Sequence, residues 1–331
     1  MPNAYIAGTG FFVPPKVVTN NELSKYMNTS DKWIQERTGI MERRYVERGV
    51  GPSDLAIPAT EQALETAGLA VEDIDFIIFA TSTPDYYIPG SGCLLQEKMG
   101  FKEIGALDIR VQCSGFIYGI SIAEQYIKTG AFNNILLVGS EVQSTAMDLS
   151  DKGRDTSIIF GDGAGAVIIQ STEEERGILS THMHTEGKYL KELWVEAPAS
   201  REGNPRILPA HLEQGKQYLK MNGREVFRHA ITRFIEVIRE CLSANNLQVD
   251  DIDMLIPHQA NLRITQMVQK TLGIDNDKVY SNIHKYGNTT AASIPIALAE
   301  VINAGKVKEG DNVVFASFGS GFTWASALLK W

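Results

Sequence analysis

Cys113, His258 and Asn288 are far apart in the chain, yet together they have the chemistry for acyl transfer through sulfur. A thiolate attacks a thioester, while an imidazole and a carboxamide hold a carbonyl oxygen as negative charge gathers on it. Cys113 follows the run Leu107-Asp108-Ile109-Arg110-Val111 and precedes Ser114-Gly115-Phe116, where a helix is expected to begin. The free N–H groups and positive potential of a helix N-terminus would lower the thiol from its ordinary value of about 8.5. A free Cys is more commonly a small buried hydrophobe, which is the reading for Cys93 and Cys241. His258 lies in Ile256-Pro257-His258-Gln259-Ala260-Asn261, directly after a strand that Pro257 stops, at the carboxyl end where open sheets place ligand sites. Asn288, in Lys285-Tyr286-Gly287-Asn288-Thr289-Thr290, precedes a helical run, a position where capping and catalysis are compatible. A Cys, His and Asn set without a carboxylate suits thioester chemistry better than a metal. The turn Phe318-Gly319-Ser320-Gly321-Phe322 has the freedom to aim a backbone N–H into the same pocket as the Cys113 amide.

The elements that must position these groups are written twice. Leu69, Val71, Asp73, Ile74, Asp75 and Ile78 recur 178 positions later as Leu247, Val249, Asp251, Ile252, Asp253 and Ile256. At the same offset Asn134-Ile135-Leu136 returns as Asn312-Val313-Val314. The copies differ where function is to be sought: Ala80 stands where the second copy has His258, and Cys113 and Asn288 fall within three positions of equivalence (288 − 178 = 110). Near-continuous apolar strands at 75–80, 135–138, 253–256 and 313–316 alternate with helices expected over 53–67, 94–99, 114–129 and 224–244, the pattern of parallel sheets buried on both faces. The expected division is a first half over 1–170, an insert of loops and cap over 171–221, and a second half over 222–331, forming one unit with no linker.

Other chemistries are excluded by spacing. Gly161-Asp162-Gly163-Ala164-Gly165 is GxGxG rather than GxGxxG, and an apolar strand follows it. Gly8-Thr9-Gly10 fails as a dinucleotide loop because Val13 replaces the third Gly and Pro14-Pro15 block a helix. A serine-hydrolase GxSxG is absent. His182 and His184 share a strand face but have no evident third ligand for a metal. A net charge of −9 opposes general attraction to nucleic acid. Apolar runs never approach the roughly 20 residues of a membrane span, and the N-terminal segment does not read as an export signal. Three Cys with no CxxC fit a reducing compartment, so a cytoplasmic setting is expected. Arg224 with Arg228, one helical turn apart, and Arg263 with Lys270, seven apart, can be read as a local basic patch on this acidic protein; spacing alone favours an ordinary solvated face, and their position beside His258 raises the alternative.

Four ordered motifs together resemble the β-ketoacyl-acyl-carrier-protein synthase III family: Cys-Ser-Gly-Phe at 113–116, Ile-Pro-His-Gln-Ala-Asn-Leu-Arg at 256–263, Tyr-Gly-Asn-Thr-Thr-Ala-Ala-Ser at 286–293 and Phe-Gly-Ser-Gly-Phe-Thr-Trp at 318–324. The resemblance covers essentially the whole chain. It implies a thiolase-like α/β fold, two pseudo-symmetric βαβαβαββ halves in a five-layered α-β-α-β-α sandwich, and a homodimer. It further implies decarboxylative condensation of an acyl-CoA primer with malonyl-acyl carrier protein through an acyl-cysteine, initiating fatty-acid synthesis without a cofactor. In that scheme the amides of Cys113 and Ser320 form the oxyanion hole. CoA would meet Thr29, Trp33, Arg37, Arg154, Arg224 and Asn261, with its adenine sandwiched between Trp33 and Arg154, and the carrier protein would dock on Arg228, Arg263 and Lys270. The chain departs from the family pattern at Val111-Gln112, at Arg224, and in a longer, more polar segment at 188–211. A condensing enzyme of secondary metabolism and a Cys-dependent thioester hydrolase are the competing readings.

Overall fold

The structure, a computed structural model, describes residues 2–331. Its first sheet has five strands in the order Asn3–Phe12, Gly163–Thr172, Asn134–Glu141, Phe76–Ala80 and Gly105–Ile109. The second has four, in the order Met254–Pro257, Asn312–Gly319, Thr323–Lys330 and Gly177–Thr185. The central pairs are parallel and in matched register: Phe76 stands opposite Ile135, and Met254 opposite Val313, each partner shifted by 178.

The repeated polar residues explain that register. Asn134 Nδ2 donates to the Asp73 carbonyl at 2.9 Å, and Asn312 Nδ2 donates to the Asp251 carbonyl at 2.8 Å. The backbone N–H groups of the same two asparagines donate to the carboxylates of Asp75 at 3.1 Å and Asp253 at 2.8 Å. Each half thus clamps the entry of two adjacent strands, and a one-residue slip would break every bond of the clamp and turn the apolar strands over.

Both faces of each central strand are buried, as their unbroken apolar runs require. Ile78, Leu137 and Val167 of the first sheet meet Ile256, Val313 and Phe315 of the second across the helices Gly115–Lys128 and Ser293–Asn303. The alternate residues Ile77, Phe79 and Leu136 face outward onto the helix Pro52–Ala67. Leu255, Val314 and Ala316 face outward onto the amphipathic helix Gly223–Ala244. Five layers result, with the first half reading βαβαβαββ. In the second half the third strand has shrunk to the single bridge Leu255 to Val279.

One boundary differs from expectation. Gly177–Thr185 lies in the stretch expected to be loops and cap, but it pairs along Thr323–Lys330 as a strand of the second sheet. Most of its residues are half-exposed or exposed, so its composition carries no strong apolar period. The insert proper is therefore 187–221, a cap of short helical turns and the ribbon Leu193–Trp194 with Lys220–Met221.

The glycines of the rejected Gly8-Thr9-Gly10 motif serve packing. A Cβ at Gly8 would lie 2.2 Å from the Ala63 carbonyl oxygen, and one at Gly10 would lie 2.2 Å from that of Ala59. The strand therefore lies against helix Pro52–Ala67 at a distance that only glycine permits. Gly8→Ala should destabilise the protein by about 1–3 kcal/mol, seen as a lowered Tm in thermal unfolding; an unchanged Tm would contradict this packing.

Candidate active site

Cys113, His258 and Asn288 line one cavity, with Gly319 beside them and Leu193, Met221, Val226, Phe227, Ala230, Ile264 and Phe318 supplying apolar walls. Each of the three is nearly dry, at 5%, 1% and 5% exposure respectively. Cys113 sits in the helical turn Gln112–Ser114 that leads into Gly115–Lys128. Gln112 reaches that turn with φ of +43°, a left-handed conformation rarely adopted by non-glycine residues and typical of strained functional turns. Gly319 presses on the sulfur: a Cβ there would stand 2.9 Å from Cys113 Sγ.

The thiol does not behave as the helix N-terminus alone suggested. Burial pushes it up to about 12, and the buried carboxyl of Glu141 adds to the rise. The amides of Cys113 and Ser320, both hydrogen-bonded toward the sulfur, pull the other way without prevailing. Desolvation of a fully enclosed anion outweighs the partial charges of one helix end. Those two amides nonetheless converge on the sulfur, as an oxyanion pocket requires. The Ser320 hydroxyl is engaged by the Leu193 carbonyl, which ties the turn to the cap.

His258 ends strand Met254–Pro257, its N–H donating to the Ala316 carbonyl at 2.8 Å. Burial pulls its imidazole down to about 3, so the ring is neutral at physiological pH. Nδ1 meets the Ser293 hydroxyl at 2.6 Å. The Gln259 N–H donates to that same oxygen at 3.3 Å, and among the described residues the serine hydrogen has no acceptor other than Nδ1, an arrangement that assigns the ring proton to Nε2. Nε2 is buried and has no partner among the described residues. Asn288 is oriented in the same manner: its Oδ1 accepts from the Thr290 N–H at 2.8 Å, so Nδ2 is left as a donor. Two neutral donors are held ready in a cavity that offers them no partner of its own.

Outside the residues that line the cavity, Trp33 is covered by both Arg37 and Arg154, whose guanidinium carbons lie 4.1 and 4.8 Å from the ring centroid. An aromatic guest between Trp33 and Arg154 needs about 3.5 Å on each side, so the two must part to admit one. Thr29 Oγ1 is buried and unpartnered nearby in sequence. Asn261 lines the cavity, but its carboxamide is already engaged at both ends, accepting from the Arg263 N–H at 2.9 Å and donating to the Arg37 carbonyl at 3.0 Å. Arg224, Arg228, Arg263 and Lys270 are all exposed. Arg228 is paired with Glu225 at 2.6 Å, and Arg263 lies over the Phe227 ring of the cavity wall. His182 and His184 converge on Glu240, and among the described residues no group of His, Cys, Asp and Glu is arranged to hold a metal.

Sequence reasoning missed the apolar walls, Ser293 and Glu141. Ser293 carries a legible signal, since the repeat aligns it with Gly115, the first residue of the corresponding helix (293 − 178 = 115).

A duplicated five-layer α/β fold with a buried thiol beneath two neutral hydrogen-bond donors defines the class of thiolase-fold acyltransferases. The family model for 3-oxoacyl-[acyl-carrier-protein] synthase III matches residues 107–187, and that of its C-terminal part matches 242–331. The β-ketoacyl-[acyl-carrier-protein] synthase III of Clostridium perfringens is 44% identical over 100% of both chains. That of Clostridioides difficile is 45% identical over 99% of this chain and 98% of its own. The crystal structure of the Aquifex aeolicus enzyme superposes with a TM-score of 0.91 at 41% identity, covering 99% of this chain and 100% of that one. A priming β-ketosynthase of the R1128 polyketide pathway is similar at 29% identity and a TM-score of 0.91, covering 99% and 96%. The chain belongs to the β-ketoacyl-acyl-carrier-protein synthase III family.

Because the Cys113 thiol is pushed up to about 12, its alkylation by iodoacetamide should keep accelerating as pH rises beyond the ordinary thiol range of about 8.5. Peptide mass spectrometry across a pH series measures this, and a plateau below that range would contradict it.

Proposed function

We propose that this protein condenses an acyl-CoA primer with malonyl-acyl carrier protein, releasing CO2 and CoA and giving a β-ketoacyl-acyl carrier protein that starts fatty-acid synthesis. The observation that carries the reading is the convergence of Cys113, His258 and Asn288 on one dry cavity in a chain 44% identical to named synthases of this type. The lower identity to the polyketide priming enzyme, 29%, favours the fatty-acid role over the secondary-metabolite one.

In the first half-reaction the Cys113 sulfur attacks the acyl-CoA thioester carbonyl. The amides of Cys113 and Ser320 hold the tetrahedral oxyanion, CoA leaves as the thiol, and the acyl group stays on sulfur. Malonyl carried on acyl carrier protein then enters. His258 Nε2–H and Asn288 Nδ2–H donate to its thioester carbonyl, so the electrons freed by loss of CO2 settle on an oxygen that is already hydrogen-bonded. The resulting enolate carbon attacks the acyl-cysteine carbonyl, the carbon–sulfur bond breaks, and the departing Cys113 sulfur takes up one proton from solvent to return to the thiol, replacing the proton that left with CoA in the first half-reaction. Both donors are neutral, so neither is consumed as an acid when the enolate collapses. The dry apolar wall strengthens each of these hydrogen bonds and keeps water from the thioester. That exclusion of water is what disfavours the hydrolase reading.

The residues outside the cavity lining fit the remaining substrate parts. Trp33 and Arg154 offer a face and a guanidinium to the adenine of CoA, with Arg37, Thr29 and Arg224 around it. The exposed Arg263 and Lys270, with Arg228, suit an acidic carrier protein on an otherwise acidic chain. The half-exposed edge strand Gly105–Ile109 and the exposed Tyr86, Tyr87 and Ile88 are surfaces that a second copy of the chain would cover in a homodimer.

Intact-mass measurement after mixing with an acyl-CoA should show an acyl adduct on the native protein and none on Cys113→Ala. His258→Ala and Asn288→Ala should still load the acyl group yet lose condensation by about a hundredfold or more; an adduct on Cys113→Ala, or free acid as the sole product, would overturn the reading. Arg263→Glu should raise KM for the malonyl carrier protein by about tenfold while sparing acylation from CoA, and equal loss of both would remove the docking assignment.

A further inference from the structure

Glu141 is fully buried at the end of strand Asn134–Glu141, among the catalytic loops, and the mechanism above gives it no task. Burial pushes its carboxyl up to about 7, and among the described residues no Lys or Arg pairs with it. Neutral donors surround it instead. The Ser82 N–H and hydroxyl donate to it at 3.1 and 2.9 Å, the Thr83 hydroxyl at 2.6 Å and the Gln143 amide at 3.2 Å. The backbone N–H of Ala291 also faces this carboxyl and favours its charged form.

The internal repeat says what that last contact is. Ala291 is the counterpart of Cys113 (291 − 178 = 113), and Glu141 is the counterpart of Gly319 (319 − 178 = 141). Thr290 and Gln112, the residues before Ala291 and Cys113, also correspond, and both are left-handed, with φ of +49° and +43°. In the first half, Gly319 leaves open the space at the Cys113 amide and sulfur where a reacting oxyanion is to sit. In the second half the carboxyl of Glu141 occupies the equivalent place, facing the Ala291 amide.

We propose that Glu141 is a positioning residue for Asn288: it fills, in the half that lacks a nucleophile, the anion pocket that the other half keeps empty for the substrate, and so fixes the loop 288–291. The proposal rests on the condensing function argued above. The coupling runs through named contacts. Gln143 Nε2, held by Glu141, donates to the Thr290 hydroxyl at 2.7 Å, and the Thr290 N–H donates to Asn288 Oδ1 at 2.8 Å. Gly139, on the same strand, lies so close to Ala291 that a Cβ would stand 2.4 Å from its carbonyl oxygen. A left-handed Thr persists only where its surroundings over-determine it, and Gln143 and the Ala291 amide supply that restraint from both sides. The carboxylate also faces Cys113, whose sulfur otherwise meets the neutral His258 and the amides of Cys113 and Ser320; this charge is one cause, after burial, of the raised thiol.

Glu141→Gln keeps the shape but places an NH2 against donors, and removes the charge. With the native protein as control, condensation with malonyl carrier protein should fall by about tenfold or more while acyl loading stays within about threefold. Alkylation of Cys113 should shift to lower pH while the thermal unfolding midpoint stays that of the native protein, since loosened packing around the sulfur would lower the thiol as well but would also lower Tm. Gln143→Ala breaks the link to Thr290 with the carboxylate in place, so it should slow condensation less and leave the alkylation profile as in the native protein; it also carries the test should Glu141→Gln fail to fold. Condensation at the native rate in both variants, or loading that falls in step with condensation, would overturn the proposal. A native protein that makes no β-ketoacyl product would instead overturn the functional reading.

Discussion

Desolvation governs this site more than any single contact. A sulfur, an imidazole and a carboxamide share a cavity in which each is almost fully buried, and burial moves the first two in opposite directions, the thiol up to about 12 and the imidazole down to about 3. Both shifts favour neutral groups. A neutral cavity suits a reaction whose charge is transient, because any resting charge would have to be solvated before substrate arrives. The oxyanion and the enolate are then the strongest acceptors present, and donors already aimed at them need little rearrangement.

Keeping such a site both dry and polar requires several backbone segments to arrive together without leaving unpaired groups. The duplicated scaffold meets that requirement by bringing the carboxyl ends of strands from two sheets to the same level: His258 ends one strand, the turn containing Ser320 ends its neighbour, and Cys113 follows a third from the other sheet. The Asn312 clamp sits at the opposite ends of the first two strands, and the Asn134 clamp at the corresponding end of Phe76–Ala80, which borders the third. They fix register far from the chemistry, and a register error there would misplace His258, because each step along a strand exchanges its two faces.

Much of this was legible in the sequence. The repeat located paired strands and equivalent helices, the position of His258 in place of Ala80 marked a functional asymmetry, and unbroken apolar runs implied two-sided burial. The edge strand Gly177–Thr185 was not legible, because a half-exposed strand next to a polar cap carries no strong period. The direction of the Cys113 shift was misjudged for a different reason. A sequence shows that a helix begins there, but not that the cap, Gly319 and the adjoining walls enclose the sulfur and make desolvation the larger effect. Glu141 stayed hidden because a lone acidic residue at a strand end resembles any surface carboxylate until its neighbours are known.

The symmetry also gives a reason for strain at both catalytic turns. Gln112 and Thr290 are equivalent residues, and both take left-handed backbone angles just ahead of the paired helices. A turn of this kind aims the next amide into the space between the sheets, and the same geometry is therefore present twice, although only one copy carries a sulfur. An empty second pocket would leave the Ala291 amide buried without an acceptor, a penalty of about 1–3 kcal/mol. A carboxylate carried by the neighbouring strand removes that penalty, while the copy with the nucleophile has glycine at the equivalent position. One fold thus builds two anion-accepting turns, and the difference between Gly319 and Glu141 decides which of them remains open for chemistry.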